Sequence, residues 1–264
     1  MKMKRQTVLA IAFACISTLG IAQEIETTSK DQDQQPLEYQ NKKNIVKLSL
    51  TSLAFGNYQF QYERILNKTF SVGISYATIP KDGIPFGNTI KNLADDDPDL
   101  INIIDNGNIG YTSFTPEIRI YTGKKGFGKG FYLAPFFRAS KYTFDNISFE
   151  YDIDGGGTAS LSTNGTLKAN SFGLLIGSQF NLGKSIVLDW WIMGPHYGTS
   201  DGDLTGVSSE TLSQTEQDAL RDTLNDIDIP LVDIENNVNA NGAEILISGP
   251  WAGVRAGLSI GYRF

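Results

Sequence analysis

The sequence has one cysteine, Cys15, and one histidine, His196. Cys15 lies within the first 22 residues, so a chain that loses this segment has no disulfide, no thiolate metal site and no cysteine nucleophile. Basic residues are also few, at 22 Lys and Arg against 29 Asp and Glu. Nucleic acid is therefore not expected as a partner. After residue 22, no apolar run reaches the roughly 18 residues of a membrane-spanning helix.

The first 22 residues have the pattern of a secretory signal peptide. Three basic residues precede an apolar stretch from Val8 to Ile21, and Gly20-Ile21-Ala22 forms a small-x-small site at which cleavage is predicted. Removing this segment would change the net charge from −7 to −10, because it carries three basic and no acidic residues. Residues 23–43 are polar and aperiodic, and they predict a flexible periplasmic tail.

Residues 44–264 alternate between apolar and polar, the period of β-strands. Eight strands are predicted, most of them about 10 residues long, which is enough to cross a bilayer when tilted. Short turns follow the second, fourth and sixth strands, and long segments (80–108, 152–165 and 198–248) follow the third, fifth and seventh. This asymmetry is typical of outer-membrane barrels. The sequence thus predicts an all-β fold: an eight-stranded antiparallel transmembrane β-barrel with long extracellular loops, in the outer membrane of a Gram-negative bacterium, with both termini periplasmic.

The chain stops inside its last predicted strand, at Tyr262 and Phe264. An unpaired strand at this end would be prone to aggregation, whereas pairing with the first strand would close a barrel and remove the edge. A terminal Phe after alternating apolar residues also resembles the insertion signal of outer-membrane barrels. Tyr262 and Phe264 are therefore predicted to be read by the barrel-assembly machinery, and lipid and lipopolysaccharide are the predicted surroundings.

A secreted soluble barrel of the lipocalin type is the main alternative, because the period does not say which face lies inside. That barrel would turn its Phe, Leu, Ile and Tyr positions inward around a ligand, whereas the membrane barrel would turn them to lipid. The membrane barrel would hold these charges inside: Lys47, Glu63, Glu117, Arg119, Arg138, Asp189 and Arg255. Charges in so narrow an interior should pair. A salt-bridged interior is predicted, with a narrow proton or ion path as the alternative.

Three stretches carry a resemblance to a known family: KNIVKLSLTSLAFGNYQFQYERILNK (43–68), GFYLAPFFRASKY (130–142) and WWIMGPHYG (190–198). They resemble the uncharacterised outer-membrane barrels of Bacteroidota-type bacteria known as domain of unknown function 3575. The resemblance implies an outer-membrane barrel over most of 44–264 and carries no assigned activity.

Two constellations could carry chemistry. His196 with Ser200 and Asp203 could activate a nucleophile, as in lipid-modifying barrel hydrolases; the alternative is a rim histidine among interfacial aromatics. Oxygen ligands for a divalent cation are offered by Asp95, Asp97, Asp152 and Asp154, although none completes a calcium-binding loop. No cofactor is predicted.

The last long segment, 198–248, contains a helix start signal. Ser213-Gln-Thr-Glu216 is a capping box, and Leu220, Leu224 and Ile227 follow at helical spacing, which predicts a short helix over 214–225. The segment is acidic, so it is a candidate surface for a protein partner. The predicted function is a structural or interaction barrel presenting acidic extracellular loops, with the His196 hydrolase and a small pore as alternatives.

Overall fold

A computed structural model describes residues 42–264 except 86, 88–89, 92–97, 124–125, 153–157 and 228. The predicted signal peptide, and the predicted tail up to residue 41, lie outside the described residues.

The described residues form nine strands, most of them in the alternating segments. The strands are β1 (Asn44–Ser49), β2 (Tyr58–Ile65), β3 (Phe70–Ile79), β4 (Asn108–Tyr121), β5 (Gly130–Asp152), β6 (Thr158–Leu182), β7 (Ile186–Ser208), β8 (Asp233–Asn239) and β9 (Gly242–Arg263). Helices α1 (Leu50–Ala54), α2 (Pro98–Asn106) and α3 (Gln214–Asn225) lie in the connections.

All nine strands belong to one antiparallel sheet in the order β1-β2-β3-β4-β5-β6-β7-β9-β8, and β1 also pairs with β9, so the sheet closes in a ring. The all-β prediction and the pairing of the last strand with the first are confirmed: Val46 lies opposite Tyr262. Phe264 exchanges two backbone hydrogen bonds with Asn44, at 3.0 and 2.9 Å. The predicted count of eight strands is corrected to nine. The additional strand, β8, pairs with β9 over Gly242–Ser248.

Two segments predicted as loops are largely strand. β7 continues to Ser208 and β9 already begins at Gly242, so paired strands occupy much of 198–248. β6 begins at Thr158, inside the predicted Gly-rich loop 152–165. Apolar alternation did not reveal these extensions, because their outward positions on β7 are mostly Thr and Asp. The backbone pairing continues although the outward face has become polar.

The first strand is shorter than its alternation predicts. It ends at Ser49 rather than Thr51, because the Ser49 hydroxyl accepts a hydrogen bond from the Ser52 N–H at 3.1 Å and caps the helical turn α1. A local side-chain hydrogen bond therefore overrides the two-residue period at this point.

Helix α3 confirms the capping-box prediction. The Ser213 hydroxyl accepts from the Glu216 N–H at 3.3 Å, and the Glu216 carboxylate accepts from the Ser213 N–H at 2.7 Å. Leu224 is buried against Val238 and Ala243 of the β8–β9 hairpin, and Leu220 and Ile227 pack on them. This outer cluster holds α3 on the sheet.

Candidate functional site

The interior of the ring is lined by one face of each strand, and its charges come from distant strands. Lys47 lies on β1, Glu63 on β2, Arg119 on β4 and Asp189 on β7, and each is at most 3 % exposed. Because β4 and β7 are not neighbours in the sheet, their contact crosses the interior. We call the hydrogen-bonded group around these four residues the central network.

Lys47 uses all three of its ammonium donors in the central network. Its Nζ donates to Glu63 Oε2 at 2.5 Å, to Gln179 Oε1 at 2.5 Å and to Asp189 Oδ2 at 2.7 Å. An ammonium group has three N–H donors and no acceptor. The buried charge of Lys47 is therefore fully compensated.

Arg119 makes the second cationic centre of the network. Its Nη1 donates to Asp189 Oδ2 at 2.7 Å and its Nε to Glu117 Oε1 at 2.6 Å. Its guanidinium lies 4.3 Å from the centre of the Tyr132 ring. Paired charges with several hydrogen bonds each can remain ionised in a buried site.

Neutral partners that the sequence analysis did not single out complete the network. Tyr121 Oη donates to Glu63 Oε1 at 2.7 Å, and Tyr132 Oη donates to Asp189 Oδ1 at 2.8 Å. Gln179 accepts from Lys47 and donates to the Gly128 carbonyl at 2.7 Å. These residues could have been found from their inward-facing strand positions. A search for charged side chains does not select Tyr or Gln.

Glycines on the inner face provide room for the long side chains. A Cβ at Gly261 would lie 2.7 Å from Lys47 Cγ, and a Cβ at Gly177 would lie 2.3 Å from the Tyr132 ring. The inward glycines therefore make room for an aromatic ring as well as for a long cation. The hydrogen bonds of the central network join strands on opposite sides of the ring.

A bulge in β7 separates the central network from a second, basic group. The pairing register shifts between Trp191 and Gly194, so Asp189 and Trp191 point inward before the bulge and His196 points inward after it. Ile192 is half-buried, and Met193 takes the outward position.

The basic group consists of Arg138, His196 and Arg255. Arg255 is 5 % exposed, lies 4.5 Å from the Phe136 ring and 4.9 Å from the Trp191 ring, and donates through Nη1 to Glu117 Oε2 at 3.4 Å. The remaining charge, Arg138, is half-buried and donates to the Tyr111 hydroxyl.

Two buried nitrogen atoms of the basic group have no hydrogen-bond partner among the described residues: Arg255 Nη2 and His196 Nδ1. The His196 ring meets the Phe136 ring edge-on at 6.1 Å. The single acidic contact of Arg255 at 3.4 Å contrasts with the short, multiple contacts of Lys47 and Arg119. The basic group is thus less well compensated than the central network.

The structure does not assemble the predicted nucleophile constellation. His196 and Ser200 face inward, but Asp203 is exposed on the opposite face of β7. The Ser200 hydroxyl donates to the Gly249 carbonyl at 3.3 Å. Four residues along a strand also separate His196 and Ser200 by about 13 Å. No Ser-His-carboxylate relay can form from these three residues in this arrangement.

The metal-ligand candidates are not brought together by the part of the chain that is described. Asp95, Asp97 and Asp154 lie outside the described residues, and Asp152 is the last residue of β5. Within the described ranges, no three His, Cys, Asp or Glu residues are grouped to hold a metal ion.

The predicted insertion-signal residues lie side by side at the chain end. Tyr262 is 52 % and Phe264 49 % exposed, and their rings stack with centres 6.3 Å apart. Both point away from the central network, next to the strand pair of β1 and β9 that closes the ring.

The outer apolar run 227–234 is mostly covered by the chain itself. Ile227 packs on the outer cluster, and Ile229, Val232 and Ile234 are half-buried. Leu231 is the exception, because it is 81 % exposed in a left-handed backbone conformation with φ 68°.

No family model matches the chain, and neither the curated proteins nor the solved structures include a match. The resemblance to domain of unknown function 3575 therefore stays a prediction. Among the described residues, no helix combines the length and the apolar character needed to cross a bilayer.

Proposed function

We propose that this chain is an integral outer-membrane β-barrel of structural or interaction type, which presents an acidic outer sheet and helix to a partner. Eight strands, β1–β7 and β9, form the barrel wall, and β8 is an addition outside the bilayer. The observation that carries the proposal is the distribution of side chains: the buried charges lie inside, and most of the large apolar side chains lie outside.

The outward apolar residues form a continuous surface, which we call the apolar belt. Its members are at least 37 % exposed and include Val46, Phe60, Ile74, Phe114, Ile118, Phe131, Leu133, Phe172, Leu174, Trp190, Val254 and Ile260. Phe172 is 70 % exposed while Arg119 is 0 % exposed. Water would favour the reverse arrangement, and soluble monomers rarely show an apolar surface of this extent.

The dimensions of the belt fit a bilayer. On β6 it runs from Phe172 to Leu182, which at about 3.3 Å per residue and a tilt of about 40° covers about 25 Å. This is the height of the apolar band of outer-membrane barrels. Above the belt, the outward residues of β7 become polar, with Thr199, Asp201 and Asp203 exposed.

The pairing register supports a tilted, closed wall. Following paired residues round the ring from Leu48 through Phe60, Tyr76, Phe114, Ala139, Asn170 and Thr199 leads to Pro250. Leu48 itself pairs with Ile260, ten residues further along β9. A register stagger of this kind is what tilts strands in a barrel.

The alternatives have less support. A lipocalin-type carrier needs an apolar interior, and the interior here holds the central network. A pore needs a continuous path, and the network crosses the ring through Lys47 and Arg119 with short hydrogen bonds. The hydrolase lacks its assembled carboxylate, because Asp203 faces outward.

Heat-modifiability in outer-membrane fractions tests the proposal. A closed barrel resists detergent at room temperature because all its strands are paired. The unboiled protein should therefore migrate differently from the boiled protein on a detergent gel, and both should derive from the outer-membrane fraction. Recovery from the soluble periplasm, or identical mobility before and after boiling, would contradict the proposal.

A further inference from the structure

Strand β9 is paired on one side only over part of its length. Its other side pairs with β8 over Gly242–Ser248 and with β1 over Ser259–Arg263. Between these two ranges, residues 249–258 have β7 as their strand partner and no second strand among the described residues. The ring is therefore closed at this point by something other than strand pairing.

Helix α1 occupies the place that a longer β1 would fill. The Leu258 N–H donates to Thr51 Oγ1 at 2.9 Å, and a Cβ at Gly257 would lie 3.4 Å from Thr51 Cβ. A single helical turn thus replaces the strand ladder here. We call this contact line between α1 and residues 249–258 the seam.

The seam overlaps the outer half of the apolar belt. The belt begins at Val254 on β9, which is 64 % exposed, and Leu50 and Leu53 of α1 are 39 % and 41 % exposed beside it. Five residues of β9 along the seam are small: Gly249, Ala252, Gly253, Ala256 and Gly257. The surface here is apolar, and the backbone of these residues pairs with a neighbouring strand on one side only.

The basic group lies directly behind the seam. Arg255 is on the inner face of the seam itself, and a Cβ at Gly253 would lie 2.8 Å from His196 Nε2. Arg138 lies on the inner face of β5, with its guanidinium 5.9 Å from the centre of the Tyr111 ring. Arg255 Nη2 is buried and unpartnered among the described residues.

We call the part of the interior that holds the basic group the chamber, and aromatic residues cross the ring beside it. The Tyr142 ring lies 5.4 Å from Trp251 and 4.9 Å from Tyr111. Because β5, which carries Tyr142, and β9, which carries Trp251, are not neighbours in the sheet, this contact crosses the ring. With the central network on the other side, the seam is the side of the chamber that lacks a strand.

We propose that the chamber binds the carboxylate of a long-chain fatty acid, which enters sideways from the outer leaflet through the seam. The carboxylate would accept hydrogen bonds from Arg255 and Arg138, and the alkyl chain would lie between α1 and β9 against the apolar belt. The inference rests on the proposed membrane location, because lateral entry needs a bilayer around the seam. Charge complementarity favours an anion, and the apolar surroundings favour a single attached chain.

Fluorescence quenching by dibromostearate in phosphatidylcholine nanodiscs tests the site. Trp190 is outward and would be quenched by surrounding lipid, so the parent protein for the test is Trp190→Phe, which leaves the buried Trp191 and Trp251. Quenching should saturate with dibromostearate. In Arg255→Gln the midpoint should move to at least about tenfold higher concentration, the expected loss for a charge-assisted hydrogen bond.

Lys141→Gln is the matched control, because Lys141 is an exposed cation on β5 outside the chamber; its midpoint should stay that of the parent. Only heat-modifiable samples are compared. If Arg255→Gln does not assemble, Arg138→Gln replaces it and should shift the midpoint severalfold.

An unchanged midpoint in the assembled arginine variant would overturn the site. Displacement of dibromostearate by acetate or inorganic phosphate as readily as by stearate would also overturn the proposal, because the site would then bind small anions without the alkyl chain.

A reversible lock tests the route. The only native cysteine, Cys15, lies in the predicted signal peptide, so Thr51→Cys with Gly257→Cys can be oxidised selectively across the seam; the expected Cβ separation of about 3.4 Å is near disulfide range. Oxidation should slow or prevent quenching and reduction should restore it. Equal quenching in the oxidised and reduced states would overturn lateral entry.

Two further outcomes separate this site from the membrane proposal. A parent protein that is not heat-modifiable would contradict the membrane proposal. A heat-modifiable parent without saturable quenching would overturn this site alone.

Discussion

The ring at the level of the apolar belt and the outer sheet, which consists of β8 and the extensions of β6, β7 and β9, share strands but are held together differently. At the belt, buried ions such as Lys47 and Asp189 bond across the interior. In the outer sheet, β8, β9 and α3 enclose a small apolar cluster around Leu224. The difference indicates two parts with separate tasks: a rigid wall that depends on polar contacts inside, and an appendage with a small core of its own.

The largest effect should follow from breaking the central network. Lys47→Met removes the cation that three acceptors share and leaves Glu63 and Asp189 buried without it. Loss of one partner from a buried ion group costs about 3–5 kcal/mol, measured here as the free energy of unfolding in urea with detergent or as the yield of heat-modifiable protein. Lys141→Met is the control and should stay within about 0.5 kcal/mol of the parent. A small effect at Lys47 would show that the network does not stabilise the wall.

The next effect concerns the chain end. Phe264→Asp places a carboxylate on the lipid-facing side beside the closing pair of β1 and β9, and it alters the predicted insertion signal. Assembled protein in the outer membrane should fall severalfold, and by more than in Phe144→Asp, because Phe144 lies in the outer part of β5. Equal outer-membrane levels of the two variants would remove the special role of Phe264.

A smaller effect is expected from the helix cap. Ser213→Ala removes the hydroxyl that accepts from the Glu216 N–H, at a cost of about 1 kcal/mol. Proteolysis within α3 should become faster while the gel mobility of the barrel stays the same. If Ser213→Ala lowers the heat-modifiable yield, the outer sheet and the wall fold as one unit.

The wall itself should hardly respond to removal of the appendage. Replacing residues 209–241 by a short Gly-Ser linker keeps Val207 opposite Gly242, and the barrel should remain heat-modifiable. Any protein that co-purifies through this region should be lost. Retention of the same partners would assign binding to another surface, and an unfolded product would show that the segment belongs to the core.

The sequence predicted the outward apolar face well, because the two-residue alternation groups the apolar side chains on one face of each strand. It also predicted α3, since the capping box is a local signal. It missed β8 and the ends of β6, β7 and β9; on β7 the outward residues of the extension are mostly polar, although the backbone stays paired. It also missed α1, where the Ser49 side chain decides the local structure within an alternating stretch.

The inward charges could be named in advance from their strand positions, but their partners could not. Lys47 and Asp189 are separated by 142 positions in sequence, and only the ring closure and its stagger bring them together. The bulge after Trp191 changes which residues of β7 face inward. His196 therefore faces inward, whereas unbroken alternation from Asp189 and Trp191 would have placed it outward.

The direction in which the belt faces is the central claim, and spin-label accessibility in bilayers tests it most directly. Nitroxide labels are attached at Phe172→Cys in the belt and at Thr205→Cys in the outer extension of β7. The account predicts that the label at residue 172 collides mainly with oxygen, which concentrates in lipid, and the label at residue 205 mainly with a water-soluble nickel complex. A label at residue 172 that is as accessible to nickel as the one at residue 205 would contradict it.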